Sequence, residues 1–505
     1  MDDPPEATGH SHTTFAVSLT ICVALAAWAT FAPDQALPVL QQLGSNALDS
    51  VGDLFVIVPS ALLVALVALA ASPLGKRRLG APDTKPDFST PSWLSMLFAA
   101  GMGTGLVVWG IAEPVTHALK PPSSAMPADT MAFVITNFHW GLHAWAIYAA
   151  GALVLAYFGF VHGTNYLPSS PLVREFKGPR TKRLASAVDV LAIVAVVFGV
   201  AGSIAMGTML VHSGLTELLG VSPTSAAVDW AILGVLFVAY MASSATGLDK
   251  GIRILSNLNM VAAFGLLIAL IVLAGPAASL TNIAQRTGEY IAALPALCLT
   301  LNPFEASRGW YEGWTLIYMV WWVAWTPFVG IFIARISRGR TIREFVLGVL
   351  VVPPLFSIIW FGAYGQVGLD AAATDPATYA ALADSNATAI MFRAFETLPA
   401  TTLLSTLATI LASIFLITSV DSATFVLGML TSGGALTPPA SRKWSWGVVL
   451  GVLGTVFALT RNTDTIKALM VAGSVPFLGI LMAQCLAFGR ALVRDAKGDA
   501  TDSAA

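Results

Sequence analysis

Twelve long apolar runs constrain this 505-residue chain more than any other feature of its sequence. A membrane-spanning helix needs about 20 mostly apolar residues. The runs lie near residues 15–33, 52–72, 91–113, 138–161, 186–211, 228–245, 258–278, 314–334, 344–365, 401–431, 445–460 and 468–489. Only 11% of the residues are charged, whereas soluble domains average about 25%. The sequence therefore predicts an all-α polytopic membrane protein with 12 transmembrane helices.

The positive charges predict the orientation of these spans. Lys and Arg collect in cytoplasmic loops, and placing both termini in the cytoplasm puts twenty of the 26 Lys and Arg residues on the inner side. The six that remain outside are Lys120, Arg286, Arg308, Arg393, Arg461 and Lys467. Cytoplasmic tails are then expected at residues 1–14 and 490–505. The amino end lacks the positive region of a signal peptide, so the first run is expected to remain as a span.

Two connections are longer than plain turns. Residues 279–313 place apolar side chains at helical spacing beside Gln285, Arg286 and Glu289, which predicts an amphipathic helix in the outer, periplasmic interface. A long ordered loop is the alternative. Residues 366–400 are rich in Ala, Asp and Thr, and we expect an outer loop there. The net charge of −2 gives no reason to expect nucleic acid as a partner.

The third run predicts a broken helix. It carries Gly101, Gly103 and Gly105 at its centre, and each glycine inside a helix costs about 1 kcal/mol relative to alanine. Unwound backbone survives in a bilayer only where protein buries it or where it lines a cavity. Its freed peptide groups can then bind a ligand, as in transporters with discontinuous helices. The alternative is a helix-packing face of small residues.

Aromatic residues cluster in two further spans. Trp140, Trp145 and Tyr148 in the fourth span are predicted to point into a single broad arc at about 100° per residue. The eighth span contains the sequence WWVAW, with Trp321, Trp322 and Trp325. Single tryptophans usually mark the membrane interface, but two clusters in separate helices favour a receptor for a soft cation such as a quaternary ammonium group.

Polar groups also interrupt the tenth span, at Thr418, Ser419 and Asp421. Hydroxyl groups there either bond back to their own helix or serve as oxygen ligands for a hard cation such as sodium. A buried aspartate indicates a functional site by default. His139 and His143 lack a third ligand and a metal-binding motif, so we expect packing or hydrogen bonding for them. Glu113 and Asp189 either carry protons or fix helices, and we favour the structural role.

Four segments together resemble the betaine/carnitine/choline transporter family: residues 101–114, 139–148, 321–353 and 417–427. The resemblance runs across nearly all twelve spans. It implies a five-plus-five inverted repeat of the LeuT-like type, with the first repeat at residues 91–278 and the second at 314–489. Two extra helices at 15–90 precede the repeats, and the interfacial segment 279–313 joins them. It also implies a multi-pass protein of the bacterial inner membrane, often a homotrimer. An enzyme would need a convergent cluster of His, Asp, Glu or Cys at one depth, which the sequence lacks, so we expect no enzyme. A channel would need pore-lining polar rings, whereas the broken helix favours a carrier.

The family's aromatic box falls on six positions of this sequence, and the substrate carboxylate is expected near three further residues. The box comprises Trp140, Trp145, Tyr148, Trp321, Trp322 and Trp325, and the carboxylate is expected near the backbone of Gly101, Met102 and Gly103. A nearby position that is often Trp in relatives is Met319 here. Family members that move choline tend to carry Asp where this sequence has Gly105, so the resemblance favours a zwitterion such as glycine betaine.

The resemblance also implies a sodium site. Its ligands would come from Ala99, Met102, Phe415, Thr418 and Ser419. A second sodium site of the family uses threonines that are replaced here by Val196 and Val200, beside Phe328. We therefore expect a single coupled sodium ion and no other cofactor.

These features predict sodium-coupled symport of a quaternary-ammonium zwitterion into the cell by alternating access. The alternatives are a sodium-independent carnitine-type exchanger, a proton-coupled choline carrier, or the same symporter acting on a sulfonium analogue. The carboxyl-terminal tail is too short for the osmosensing helix of some family members, so activation through such a tail is not expected.

Overall fold

The computed structural model describes residues 8–101, 103–246, 253–460 and 463–498, and this part of the chain is helical without a β-sheet. The first half contains Thr8–Phe31 (α1), Pro33–Val51 (α2), Leu54–Ala71 (α3), Thr90–Gly101 (α4), Thr104–Leu119 (α5), Ala128–Trp140 (α6), Leu142–His162 (α7), Ser170–Glu175 (α8), Pro179–Leu219 (α9), Ala226–Thr246 (α10) and Arg253–Leu273 (α11). The second half contains Pro276–Leu299 (α12), Arg308–Tyr311 (α13), Ile317–Ile336 (α14), Ile342–Thr374 (α15), Pro376–Ser385 (α16), Ile390–Phe395 (α17), Thr401–Leu430 (α18), Ala440–Thr460 (α19) and Thr463–Ala496 (α20).

Nine helical segments of the described chain are long and apolar enough to cross a membrane, and a bent pair makes a tenth. They are Ser11–Phe31, Leu54–Ala71, Ala128–His162, Pro179–Leu219, Ala226–Ala245, Arg308–Ile336, Ile342–Thr374, Thr401–Leu430 and Met470–Ala496, with Asn257–Leu273 plus Pro276–Leu299 as the pair. Each overlaps one of the predicted spans. The protein is therefore a multi-pass, all-helical membrane protein.

The two remaining predicted spans are helical but do not qualify as single long apolar helices. The third is divided into α4 and α5, which end and begin at Gly101 and Thr104. Gly103 has an extended backbone, with φ −138° and ψ −175°, and forms the N-cap of α5. The predicted break in the third span is thus confirmed. The eleventh predicted span corresponds to α19, whose first turn carries Arg442 and Lys443.

Three segments differ from the sequence-based prediction. Residues 366–400 are largely helical rather than a loop, because α15 continues to Thr374 and α16 and α17 follow it; their alanines favour helix. A helix missing from the prediction, α2, packs against α20, where a Cβ on Gly44 would lie only 3.2 Å from Ala468 Cα. Helix α20 also extends into the predicted tail, where Arg494 Nη1 donates to Glu175 Oε2 at 2.7 Å.

The segment predicted to lie in the membrane interface forms α12, which bends away from α11 by 110°. Its residues Ser279, Ile283, Arg286, Tyr290 and Leu297 are buried on one face. The sequence pattern places Arg286 on the polar side. The residue is instead only 5% exposed, and its guanidinium pairs with Asp129 at 2.8 Å and lies 4.7 Å from the Phe133 ring centroid.

Candidate substrate cavity

A small cavity of about 40 Å³ lies where the broken third span meets the fourth, fifth, eighth and tenth spans. Its lining consists of Gly103, Thr104, Gly105, Leu106, Trp140, Tyr148, Ser203, Trp321, Trp322, Trp325, Leu416 and Ser419. Helices α5, α7, α9, α14 and α18 each contribute residues, and α6 contributes its last residue. The helix break and both aromatic clusters singled out in the sequence therefore meet at one place.

Five of the six predicted box residues line this cavity, and four of these five make edge-to-face contacts with one another. The Trp322 ring centroid lies 5.4 Å from that of Trp140, at 89°, and 5.2 Å from that of Tyr148, at 75°. Trp321 lies 6.4 Å from Trp140. The cavity is narrow because these rings contact one another across it. Their faces provide the electron-rich surface that attracts a soft cation.

Trp145 does not line the cavity. It is fully buried behind Tyr148, with ring centroids 5.7 Å apart. The arc predicted for the fourth span assumed one straight helix, but α6 ends at Trp140 and α7 begins at Leu142. The intervening Gly141 has φ −98° and ψ −134°, which changes the direction in which the following side chains point.

Packing and hydrogen bonding hold this second break in place. A Cβ on Gly141 would lie 2.4 Å from Asn137 O and 2.8 Å from Tyr290 Oη, so no other residue fits. The Leu142 amide has no partner within the helix because it lies at the start of α7. It donates instead to Tyr290 Oη at 3.0 Å. The interfacial helix α12 therefore supports the fourth span beside the cavity.

A buried polar network lies directly behind the box. Glu113 Oε2 accepts hydrogen bonds from Trp140 Nε1 at 2.8 Å and from Tyr318 Oη at 2.5 Å. Glu113 Oε1 lies 2.6 Å from His139 Nδ1, and His139 Nε2 lies 3.0 Å from Thr315 Oγ1. Thr315 belongs to a π-helical turn, Glu312–Leu316, that precedes α14; such turns often occur at functional sites.

In the described part of the chain, Glu113, His117 and His139 form a cluster of potential metal ligands. One ligand atom from each lies within 4.8 Å of the other two. The carboxylate is already engaged by Trp140, Tyr318 and His139, so the geometry is that of a hydrogen-bonded network rather than a metal site. His143 is separate from it and lies 3.4 Å from Cys298 Sγ.

The tenth span approaches the break in the third. Thr104 Oγ1 donates to the Ala412 carbonyl at 3.4 Å, and a Cβ on Gly103 would lie 3.8 Å from Ser419 Oγ. The Thr418 hydroxyl lies 2.9 Å from Ile414 O and 3.1 Å from Phe415 O, so it bonds back to its own helix in this conformation. Met102, which was predicted to bind both the substrate carboxylate and sodium, lies outside the described residues, as does the side chain of the predicted sodium ligand Ala99. Gly101, predicted to lie near the carboxylate, ends α4.

A family model described as the betaine/carnitine/choline family transporter matches residues 13–497. The chain belongs to the betaine/carnitine/choline transporter family.

Curated relatives agree with this assignment. The chain is 37% identical over 492 residues to the glycine betaine transporter OpuD of Bacillus subtilis, covering 96% of this chain and 95% of the relative. It is 38% identical to the ectoine/hydroxyectoine transporter of Virgibacillus pantothenticus, covering 86% and 87%, respectively. It is 36% identical to glycine betaine transporter 1 of Vibrio parahaemolyticus, covering 86% and 84%. These relatives are transporters rather than enzymes.

A larger cavity of about 300 Å³ adjoins the box of this betaine/carnitine/choline family transporter and shares Trp321 with it. Trp109, Trp314 and Tyr318 line it together with residues 383–388. Those residues belong to a connection that the charge pattern assigns to the outer side. The larger cavity thus extends from Trp321 of the box to these residues, and its outward opening remains a prediction.

Sequence reasoning missed several cavity residues of this family member. Ser203 lines the cavity from α9, and Leu416 lines it from α18. A serine within the apolar run of the fifth span was the available signal for Ser203. Met319, considered as a pocket position, is fully buried and outside the lining, whereas its neighbour Tyr318 reaches both Glu113 and the larger cavity.

Two further buried carboxylates make structural contacts away from the cavity lining. Asp189 accepts from the amide and the hydroxyl of Ser169, at 2.9 and 2.8 Å, which anchors the start of α8. Asp421 faces α10, where the Ser243 hydroxyl donates to it.

Proposed function

We propose that this chain is a sodium-coupled symporter that carries a quaternary-ammonium zwitterion of the glycine betaine type into the cell. The observation that carries the proposal is the cavity in which five aromatic rings surround the helix break at Gly103. Ring faces in a dry site attract a trimethylammonium group at about 0.5–2 kcal/mol per ring. The freed peptide groups at the break are suited to the substrate carboxylate.

The sodium ion is proposed to bind beside Ser419, where α18 passes the break. Ser419 and Thr418 supply hydroxyl oxygens, and Ala99, Met102 and Phe415 supply carbonyls, which suits a hard cation. Val196 and Val200 are buried in α9 and offer no hydroxyl for a second ion. A stoichiometry of one sodium per substrate follows.

The architecture proposed for this function has twelve spans, with both termini in the cytoplasm of a bacterial cell. Residues 91–278 and 314–489 would form two inverted repeats of five spans each. In support, each of these segments begins with an irregular helix: the break before Thr104 in the first and the π-helical turn Glu312–Leu316 in the second. The functional unit is proposed to be a homotrimer.

Uptake of labelled glycine betaine by proteoliposomes tests the function directly. We expect uptake that saturates, that is stimulated by substrate inside the vesicle, and that depends on an inward sodium gradient with a Hill coefficient of about 1 for one bound ion. Uptake indifferent to sodium would favour the carnitine-type exchanger, and uptake driven by a proton gradient would favour the choline-type carrier.

Ectoine is a second candidate substrate because a relative named as an ectoine/hydroxyectoine transporter is 38% identical to this chain. A thermal-shift series with glycine betaine, ectoine, carnitine, choline and a sulfonium betaine, each with and without sodium, ranks these ligands. We expect the zwitterions to stabilise the protein more than choline does.

A further inference from the structure

Glu113 places a carboxylate directly behind the aromatic box. Its side chain is completely buried in α5, and it accepts from two aromatic donors, Trp140 Nε1 and Tyr318 Oη. Among the described residues, its ion-pair partners are two histidines, His139 at 2.6 Å and His117 at 3.6 Å, with no Lys or Arg. The charge of the carboxylate is therefore not cancelled by a permanently charged cation in this part of the chain.

The hydrogen bonds fit an ionised Glu113 beside a neutral His139. Glu113 Oε2 accepts two bonds, which an ionised carboxylate does readily. The Thr315 hydroxyl makes no other hydrogen bond within the described residues, so its hydrogen can go to His139 Nε2. His139 Nδ1 then carries the proton that Glu113 Oε1 accepts. With these protons, every polar side-chain atom of Glu113, His139 and Thr315 takes part in a hydrogen bond. The three side chains together carry one negative charge, on Glu113.

His117 does not supply a compensating hydrogen bond. Both of its ring nitrogens lack a hydrogen-bond partner within the described residues, and its ring lies 4.5 Å from Trp314 and 5.3 Å from Trp310, centroid to centroid. Its Nε2 lies 3.6 Å from Glu113 Oε1, beyond hydrogen-bond distance, and a buried imidazolium without a hydrogen bond is costly. With His117 neutral, the network carries one negative charge.

Trp140 connects this charge to the cavity. The N–H edge of its indole faces Glu113, while the opposite edge reaches the cavity, where a Cβ on Gly105 would lie 2.9 Å from Trp140 Cη2. A charge-assisted hydrogen bond from an indole N–H shifts electron density onto the ring. A richer ring face attracts a cation more strongly, and the buried charge adds its own attraction.

We propose that Glu113 is the positioning and polarising residue of the aromatic box, and that it makes the site select a positively charged headgroup over a neutral one of the same shape. This inference rests on the proposed function, because it takes the ligand to be an onium compound. It assigns to the network a role that is electrostatic as well as structural.

Two ligands that differ only in headgroup charge test the inference. In 3,3-dimethylbutanoate a tert-butyl group replaces the trimethylammonium group of glycine betaine, and the carboxylate is kept. Titration calorimetry on the purified full-length chain, with sodium present, gives the affinity for glycine betaine divided by the affinity for 3,3-dimethylbutanoate. We expect Glu113→Gln to lower this ratio at least about tenfold, mainly through weaker betaine binding, and Glu113→Asp to retain most of it. The control Asp189→Asn alters a buried carboxylate outside the cavity lining and should keep the ratio.

A merely structural Glu113 would weaken both ligands equally in Glu113→Gln and leave the ratio unchanged, which would overturn the inference. If Glu113→Gln does not fold, Trp140→Phe and Trp325→Phe form a second test. Both rings line the cavity, but the Trp325 N–H has no hydrogen-bond partner in the described chain. We expect the affinity ratio to fall further in Trp140→Phe than in Trp325→Phe. An equal fall of the ratio in the two variants would contradict the proposal. A wild-type chain that binds neither glycine betaine nor another onium compound would instead refute the proposed function.

Discussion

The indole nitrogen of Trp322 donates to the backbone carbonyl of His139 at 2.7 Å. That carbonyl lies in the last turn of α6, where the break at Gly141 leaves peptide groups without helical partners. Trp322 also lines the aromatic cavity. One side chain therefore closes the end of the first half of the fourth span and presents a ring to the site.

Trp322→Phe is expected to lower glycine betaine affinity about tenfold, because the His139 carbonyl loses its partner at a cost of about 1–3 kcal/mol. Trp322→Ala, which also removes the ring, should abolish binding. Tryptophan fluorescence or calorimetry measures both effects. Trp145→Phe is the control, since its ring lies outside the cavity and its N–H has no partner in the described chain. Undiminished affinity in Trp322→Ala would contradict the box.

Tyr290→Phe is expected to destabilise the protein and weaken substrate binding together. The change leaves the Leu142 amide without a partner, which costs about 1–3 kcal/mol, and it loosens the break next to Trp140. Thermal unfolding and betaine titration report the two effects. Tyr364→Phe removes a hydroxyl that is equally buried but has no partner within the described residues, and it should be nearly neutral. Equal behaviour of the two variants would argue against support from α12.

Gly105→Ala is expected to reduce betaine affinity by displacing a box ring. Its Cβ would lie 2.9 Å from Trp140 Cη2 and 3.5 Å from Trp321 Cη2, so Trp140 has to move. Gly234→Ala is the matched change in α10, where nothing lies within 4 Å of the added Cβ. That control should retain affinity and gain up to about 1 kcal/mol of helix stability. Titration calorimetry measures the betaine affinity of both variants. Wild-type affinity in Gly105→Ala would show that the Trp140 ring can move without loss of binding.

Ser419→Ala is expected to raise the sodium concentration that gives half-maximal uptake by about tenfold, because one oxygen ligand is lost. Sodium titration of betaine uptake in proteoliposomes measures it. Ser413→Ala is the control, since its hydroxyl bonds to Thr409 O at 2.8 Å in the same helix and lies outside the cavity lining. An unaltered sodium requirement would remove Ser419 from the proposed site.

Arg286→Met is expected to lower the stability of the protein by about 1–3 kcal/mol, because the buried guanidinium joins α12 to Asp129 and Phe133. Arg393→Met removes an exposed pair with Glu396 and should cost less than about 1 kcal/mol. Thermal unfolding in detergent compares them. If Arg393→Met proved as damaging as Arg286→Met, burial would not explain the stability of the Arg286 pair.

Local composition was sufficient to predict part of this structure. Three glycines in five residues predicted the break before Thr104, because their effect is intrinsic to the backbone. The aromatic clusters were brought together as expected, except for Trp145, since a single Gly141 redirects α7. The inclusion of these residues in a substrate site and the sodium ligands remain predictions.

Relationships between distant segments escaped prediction. Nothing near Glu113 in sequence indicates that Tyr318, 205 residues later, donates to it. Burial of Arg286 likewise depends on Asp129 and Phe133 in another helix. Residues 366–400 were assigned to a loop on composition, but packing of α16 and α17 against α5 favours the helices.

The small volume of the cavity, about 40 Å³, has a thermodynamic consequence. The ring packing around Trp322 must be separated before a cation can lie between those faces, and the free energy of that separation is subtracted from the intrinsic affinity. A dissociation constant measured at equilibrium is then the intrinsic dissociation constant divided by the population of the open form. A substitution that changes the population of the open form changes the measured affinity even if every ring contact with the substrate is kept, so affinity alone does not rank the contribution of each ring.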